Sequence, residues 1–156
     1  MANLSGSRLS RLNGVLQAVF YIACGLLMGV HFAAGAAGIA LLLVYAAIVA
    51  VGFGSIGSYL ALRTGSGEAI QGLFPLLFVF LFISSMNTPR NLIAVGWFQF
   101  LASINPISYL IECIRSLIIT GWDTEALALG FSIAIVLAIV AVILASREMG
   151  RRLDRS

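Results

Sequence analysis

The chain has 156 residues, of which 61% are hydrophobic and only 10% are charged, whereas soluble domains are about one quarter charged. This composition predicts an integral membrane protein. All nine basic residues are arginine, and a phosphate-binding P-loop requires a lysine. The chain is therefore not expected to be a P-loop ATPase or any other enzyme. It has one histidine, so a metal site or a histidine relay is excluded, and no cofactor is expected.

Charge and cysteine content exclude two further classes. The net charge of +3 does not indicate nucleic-acid binding, because the arginines stand at the ends of apolar runs, where they report membrane topology. Cys24 and Cys113 lie inside apolar segments and belong to no metal or redox motif. Both are expected to be small buried hydrophobic side chains.

Charge-free runs set the number of predicted membrane spans. No charged residue occurs between Arg11 and Arg63, and about 20 apolar residues cross a bilayer, so this run holds two spans. We place the turn between them in the small-residue cluster 31–38. Two further apolar runs follow later in the chain. The four predicted spans are residues 15–33, 39–62, 69–85 and 126–146.

The N-terminus also resembles a cleavable signal peptide. Arg8 and Arg11 precede the first apolar run, and the small residues 34–36 resemble a cleavage site. The run is closer to span length than to signal length, which favours an uncleaved span. Cleavage would leave three spans and the same topology.

Residues 91–111 form another charge-free run of 21 residues, and the distribution of arginines decides how it is placed. With four spans, seven arginines share the cytoplasmic side and only Arg90 and Arg115 lie outside. If residues 91–111 also crossed, the four C-terminal arginines would move outside, against the positive-inside rule. The predicted fold is therefore all-α, with four transmembrane helices and both termini cytoplasmic.

Residues 91–119 are consequently predicted to form an extracytoplasmic re-entrant helical hairpin between the third and fourth spans. Asn105-Pro106 supplies its turn, because asparagine is a favourable N-cap and proline suits the first helical turn. The two arms, about 12 and 14 residues long, reach roughly 18 and 21 Å. Neither crosses a hydrocarbon core of about 30 Å. Gly121 is the expected end of the second arm.

The second arm of this hairpin has one apolar and one polar face. Ser108, Glu112, Arg115 and Ser116 recur at helical spacing on the polar side, which is expected to meet water, a partner or a transported molecule. Glu112 and Arg115 are three residues apart and are expected to pair along one turn. The pair is either a self-neutralising contact at the interface or a gate or ligand contact on the outer side of a translocation path.

The loop from Arg63 to Glu68 is the only internal cytoplasmic connection in this topology. It is polar and rich in glycine, which is typical of a plain turn. Alternatively, it contacts a cytoplasmic partner.

The stretch 84–123 resembles a known family. A serine-rich span end with a proline is followed by an Asn-Pro turn and an arm that bears glutamate and arginine. This pattern resembles the ABC-2 type permeases, the membrane subunits of ATP-binding-cassette exporters, in the branch that includes antibiotic-efflux permeases. The resemblance is most specific over residues 73–123. The residues that carry it are Ser84, Ser85, Pro89, Trp97, Asn105, Pro106, Tyr109, Glu112 and Arg115.

The resemblance implies a single permease domain over residues 1–156 that moves an amphiphilic substrate outward across a bacterial cell membrane. It implies an ATPase partner that binds ATP and Mg²⁺ on the cytoplasmic side. It also implies a second permease subunit, either the same chain or a different one. Membrane lipid is the remaining partner, and no nucleic acid is expected.

The same resemblance suggests roles for six residues. Asn105 and Pro106 would set the turn of the hairpin, while Glu112 and Arg115 would hold or gate the outer mouth of the path. At the cytoplasmic face, docking of the ATPase would fall to two further residues, Arg63 and Glu68.

Family members usually have six spans, and the four predicted here correspond to the last four. The chain is thus expected to be a C-terminal portion, a split subunit, or a sequence whose start lies upstream of Met1. The alternative function is a truncated or accessory membrane protein without transport activity of its own. The sequence does not indicate which molecule is transported, because it contains no charge cluster or aromatic cage that would favour a drug, a lipid or a polysaccharide.

Overall fold

A computed structural model describes residues 17–153 except 18, 26, 30, 66, 67 and 87. Within that part the chain is helical and forms no strand. A helical stretch at residues 19–25 precedes five helices. Residues 83–95, here called the connector, join the second helix to the third and contain a 3₁₀ turn at Arg90–Leu92. The helices are α1 Gly35–Thr64, α2 Glu68–Phe82, α3 Gly96–Ile104, α4 Pro106–Arg115 and α5 Thr124–Leu153.

Helices α1 and α5 pack side by side and run in the same direction. Tyr45 contacts Phe131 edge to face at 4.8 Å, and Gly52 lies beside Ala138. Further along, Gly65 at the end of α1 lies beside Arg152. Among the described helices, Gly35–Thr64 and Thr124–Arg152 are long and apolar enough to cross a membrane.

Small residues allow this close packing. Gly130, Ala134, Ala138 and Ala141 are buried at intervals of three or four along α5, so they lie on one face of the helix. A Cβ added to Gly130 would lie 2.4 Å from the Cβ of Cys113. Helices in lipid associate through such small residues, because close approach increases van der Waals contact where no hydrophobic force operates.

Helix α4 packs against α5, where Cys113 and Tyr109 lie beside Gly130. The second arm, which consists of α4 and the turn after it, runs alongside the first half of α1 in the opposite direction. The Ala34 amide donates to the Leu117 carbonyl at 3.2 Å, and the Tyr45 hydroxyl donates to the Leu110 carbonyl at 3.3 Å. Tyr45 and Leu110 are buried together with Cys113 and Ala134 as the core of the structure. Along this contact, residue numbers rise in the second arm as they fall in α1, so the two segments are antiparallel.

The described ends of three predicted spans differ from those expected. Helix α1 begins at Gly35, four residues before the predicted start at 39. The cluster 34–38 is small because it packs against the end of the second arm, where Gly38 faces Leu117. Helix α5 continues past 146 to Leu153, since arginine and glutamate are good helix formers. In the first predicted span, 15–33, the described helical residues end before a turn at residues 28–29. Gly29 in that turn has a φ of +83°.

Helix α2 occupies the third predicted span, 69–85, but has only 15 residues. At 1.5 Å per residue it reaches roughly 22 Å. The chain continues beyond it through the irregular connector. Large apolar side chains of α2 are exposed, as expected for contact with lipid. They are Leu76, Phe78, Val79, Phe80 and Phe82.

Candidate functional site

The junction of α3 and α4 is built around Asn105 and Pro106. The Asn105 side-chain oxygen accepts a hydrogen bond from the Ile107 amide at 3.0 Å, and Pro106 occupies the first turn of α4. The predicted N-cap is therefore confirmed. The Asn105 amide group also donates to the Phe80 carbonyl at 2.6 Å, which fixes the junction to the end of α2.

The two arms meet at 87°. They form an elbow instead of the antiparallel pair that a hairpin implies. The first arm has 9 residues, and the second, Pro106–Thr120, comprises α4 and a π-helical turn at Ser116–Thr120. The angle follows from the extended backbone of Asn105, with φ −81° and ψ 115°, which redirects the chain in one residue.

Gly121 ends the second arm, as predicted from its sequence. Its φ of +97° is a conformation that favours glycine, and its amide donates to the Ser116 carbonyl at 2.7 Å. The Ser116 hydroxyl donates to the Gly121 carbonyl at 2.7 Å and accepts from the Asp123 amide at 3.1 Å. Ser116 is thus used to close the helix end and is buried.

The polar side of α4 faces the connector. The Ser85 amide donates to the Ser108 hydroxyl at 3.2 Å, and the Ser85 hydroxyl donates to the Ser108 carbonyl at 3.1 Å. Both serines are completely buried. Together with Arg90, Glu112 and Arg115 they form what we call the polar cluster.

Glu112 pairs with Arg90 and not with Arg115. The Arg90 Nε donates to both carboxylate oxygens at 2.8 and 2.9 Å, and its Nη2 donates to Oε2 at 2.6 Å. The Arg90 guanidinium also lies 3.9 Å from the centre of the Tyr109 ring. The expected pairing along one turn is therefore wrong, because the connector offers Glu112 a bidentate partner, the stronger geometry.

Arg115 fixes the connector by a different route. Its Nη2 donates to the carbonyls of Ser85 and Met86 at 2.7 and 2.9 Å. Its Nη1 is buried and has no hydrogen-bond partner among the described residues. Glu112 and Arg115 thus both contact the connector. The polar face expected to meet water or cargo is largely occupied by the chain itself.

The polar cluster carries two cations and one anion. In the described part of the chain, no group of three or more His, Cys, Asp or Glu residues is placed to hold a metal ion.

An apolar groove borders the cluster. It has a volume of about 220 Å³ and lies between the end of α2, the connector and α3. The groove is lined mainly by apolar residues, together with two hydroxyl-bearing residues. They are Phe82, Ser84, Thr88, Leu92, Ile93, Ala94, Val95 and Phe98. Such a surface can hold the apolar part of an amphiphile.

The two residues predicted to dock an ATPase lie away from this cluster, at the far end of α1. Arg63 is in the last turn of α1, where it donates to the Tyr59 hydroxyl and its guanidinium lies 5.8 Å from the centre of the Tyr59 ring. Glu68 begins α2.

Arg90 and Ser85 are the members of the cluster that sequence reasoning did not connect to Glu112. A signal for Arg90 was present: residues 69–122 contain three charges only, Arg90, Glu112 and Arg115. Charges inside an apolar segment pair with one another, so Arg90 was an available partner. No comparable signal exists for Ser85, because its contact depends on the path of the connector.

The long apolar helices and the internally paired charges define an integral membrane protein. A family model described as ABC-2 type transporter matches residues 12–119, which are 108 of the 156 residues. The chain therefore belongs to the ABC-2 type transporter family and is a permease component of an ABC transporter. No curated protein and no solved structure matches the chain. The family match includes α1, the whole polar cluster and nearly all of the second arm.

Proposed function

We propose that the chain is a single-domain permease half of an ABC exporter in the drug-efflux branch, moving an amphiphile outward. The observation that carries this proposal is the family match over residues 12–119, which includes both α1 and the elbow. Family membership implies an ABC ATPase as partner. In this proposal that ATPase is a separate subunit that hydrolyses ATP, and a second permease subunit, the same chain or another, completes the path.

The proposed topology has four spans, with both termini cytoplasmic in a bacterial cell membrane. Its support is the parallel packing of α1 and α5. If both cross in the same direction, the chain between them must cross back an odd number of times. Helix α2 with the connector accounts for one return. A second crossing by the elbow would make the number even, so we infer that the elbow is re-entrant.

The register of α4 supports the same conclusion. Leu117 lies beside Ala34 and Leu110 beside Tyr45, so Asn105 lies level with about residue 50, near the middle of the 30-residue α1. The second arm, Pro106–Thr120, then reaches roughly 22 Å into a core of about 30 Å. Its start is deep and its end is near the outer surface.

We further propose that the polar cluster holds the outer half of the path closed. Asn105 and Pro106 set the elbow, while Glu112 and Arg115 fix the connector along α4. An unpaired charge in a membrane is costly. Arrangements of the polar cluster that leave Arg90, Glu112 or Arg115 without a partner are therefore unfavourable. Movement of the elbow then requires the contacts with Arg90, Ser85 and Met86 to open together.

The gate is tested by replacing Glu112 and Arg115 singly with alanine in cells that carry the ATPase. Both variants are expected to reach the membrane in normal amount and to lose efflux of an amphiphilic dye such as ethidium. Gly57→Ala is the control, because nothing lies within 4 Å of the added Cβ. Normal efflux in both alanine variants would exclude the gate.

The exporter itself is tested by purifying the tagged full chain from its own membranes in mild detergent. A P-loop ATPase is expected to co-purify and to hydrolyse ATP in the complex. Arg63→Ala and Glu68→Ala are expected to weaken that association, since these residues lie at the proposed docking end. Absence of any ATPase would favour the second candidate, an accessory membrane protein without transport activity of its own.

A further inference from the structure

The adjoining ends of α1 and α5 form a basic surface that neither the gate nor the elbow uses. Arg63, Arg147, Arg151 and Arg152 are exposed there. The Nη2 of Arg152 comes within 3.4 Å of a Cβ added to Gly65, the C-cap of α1, so the two helix ends are in contact. Four guanidinium groups therefore lie at one end of the packed pair.

Among the described residues, the charge of this surface is only partly neutralised. Glu148 on the end of α5 lies 3.6 Å from Arg151, whose side chain is 70% exposed. The described side chains at this end are therefore four cations and one anion. Arg147 forms no hydrogen bond or ion pair with any residue in the described ranges.

Arg147 and Arg151 lie four residues apart, on the same face of α5. Like charges at this spacing repel and destabilise a helix. Glu148 compensates Arg151 at 3.6 Å but does not pair with Arg147. An anion placed between the two guanidiniums removes that repulsion and satisfies their unused donors. Planar guanidinium groups match phosphate oxygens in pairs.

The position of Arg147 and Arg151 along α5 indicates which kind of anion they bind. Arg147 is the first charge after the charge-free residues 126–146 of α5, a run about as long as the hydrocarbon core is thick. Its guanidinium therefore reaches the level at which lipid phosphates lie, and its methylene chain stays against apolar surface. Basic pockets between spanning helices at this level bind anionic headgroups.

We propose that the phosphate of an anionic phospholipid binds Arg147 and Arg151 at the paired ends of α1 and α5. Arg63 and Arg152 add positive charge around it. The proposal requires that α1 and α5 span the membrane, and it holds whether or not the chain exports anything. Phosphatidylglycerol is the test lipid, because its headgroup carries phosphate without a compensating cation.

The test uses the purified full chain in detergent, with phosphatidylglycerol or phosphatidylcholine added in steps and bound lipid counted by native mass spectrometry. Phosphatidylglycerol is expected to bind more tightly than phosphatidylcholine. Arg147→Gln with Arg151→Gln is expected to bind it roughly 30-fold more weakly, since each basic residue near an anionic surface contributes about 1 kcal/mol. The matched control, Arg147→Lys with Arg151→Lys, keeps the charge and is expected to retain most of the binding.

Three results would overturn this proposal. The first is equal binding of the two lipids by the parent chain, and the second is unchanged phosphatidylglycerol binding by the glutamine variant. The third is loss of the ATPase from that variant with lipid binding intact, which would make this surface a protein-docking site. Inorganic phosphate is expected not to displace the lipid, because it lacks the acyl chains held against the helices.

Discussion

Glu112 occupies a position where an unpaired carboxylate would be costly, because its side chain is only 15% exposed and the surrounding sequence is apolar. Its bidentate pair with Arg90, itself 22% exposed, and the contact of Arg90 with Tyr109 provide the compensation. Arg115 adds two hydrogen bonds to backbone carbonyls. At the scale of single residues, the polar cluster is a set of contacts between α4 and an otherwise irregular connector.

The first prediction concerns the Arg90–Glu112 pair. Glu112→Gln and Arg90→Gln are each expected to lower the free energy of unfolding by about 1–3 kcal/mol, because each leaves a charged partner without its counter-ion. The double variant is expected to cost less than the sum of the two. Unfolding of the purified chain by denaturant in detergent measures all three.

Arg151→Gln is the matched control for this cycle. It removes an arginine whose side chain is 70% exposed and which lies 3.6 Å from Glu148, a longer contact than that between Arg90 and Glu112. A long ion pair with one exposed partner contributes about 0–1 kcal/mol. Additive costs for the two cluster variants, or costs no larger than that of Arg151→Gln, would contradict the pairing.

The residues of this region differ in how far the sequence predicted them. Asn105, Pro106 and Gly121 have local roles as cap, first-turn residue and helix end, and each role followed from backbone chemistry alone. The partner of Glu112 did not, because spacing along one helix favoured Arg115. Choosing Arg90 requires knowing that the connector turns back along α4, which is a tertiary feature.

At the scale of helices, contact between neighbours depends on glycine and alanine. Gly52 and Gly130 lie where a Cβ would come within 2.5 and 2.4 Å of a neighbouring side chain. Glycine is normally unfavourable inside a helix, by about 1 kcal/mol relative to alanine. At these two positions glycine lowers the intrinsic stability of the helix but allows the neighbouring helix to pack more closely.

The second prediction uses this contrast. Gly130→Ala is expected to destabilise the protein by about 1–3 kcal/mol, because the added methyl forces a shift in α4, where Cys113 and the Tyr109 carbonyl lie in the way. Gly150→Ala in the same helix has nothing within 4 Å of the new Cβ and is expected to be neutral or slightly stabilising. Thermal unfolding in detergent distinguishes them, and equal effects at both sites would contradict the packing.

The sequence predicted where most helices lie but not their ends or the angles between them. Apolar runs located α1, α2 and α5, and the Asn-Pro turn located the break between α3 and α4. The turn predicted at residues 31–38 includes the start of α1 at Gly35, because small residues occur both in turns and at close helix contacts. The Asn-Pro pair predicts a break but not the 87° angle of the elbow or the hydrogen bond that joins Asn105 to Phe80.

At the scale of the whole molecule, α1 and α5 form a parallel pair, and α4 packs on α5 near the start of that pair. If both helices of the pair span the membrane, the chain between them crosses back an odd number of times, as proposed above. Such a topology places the basic ends together on one side and the end of the elbow on the other. Three proposals depend on this difference between the two sides of the molecule. They are the export path, its closed outer half and the lipid site.

The most direct test of the topology uses single cysteines and a membrane-impermeant maleimide on intact cells. Variants at His31, Thr88 and Asp123 are made in a Cys24→Ser background, with a fourth at Gly150. Cys113 is fully buried and remains as the internal negative control. We predict that His31→Cys, Thr88→Cys and Asp123→Cys are labelled from outside, while Gly150→Cys is labelled only after the membrane is opened. Labelling of Thr88→Cys and Asp123→Cys from opposite sides would contradict the re-entrant elbow.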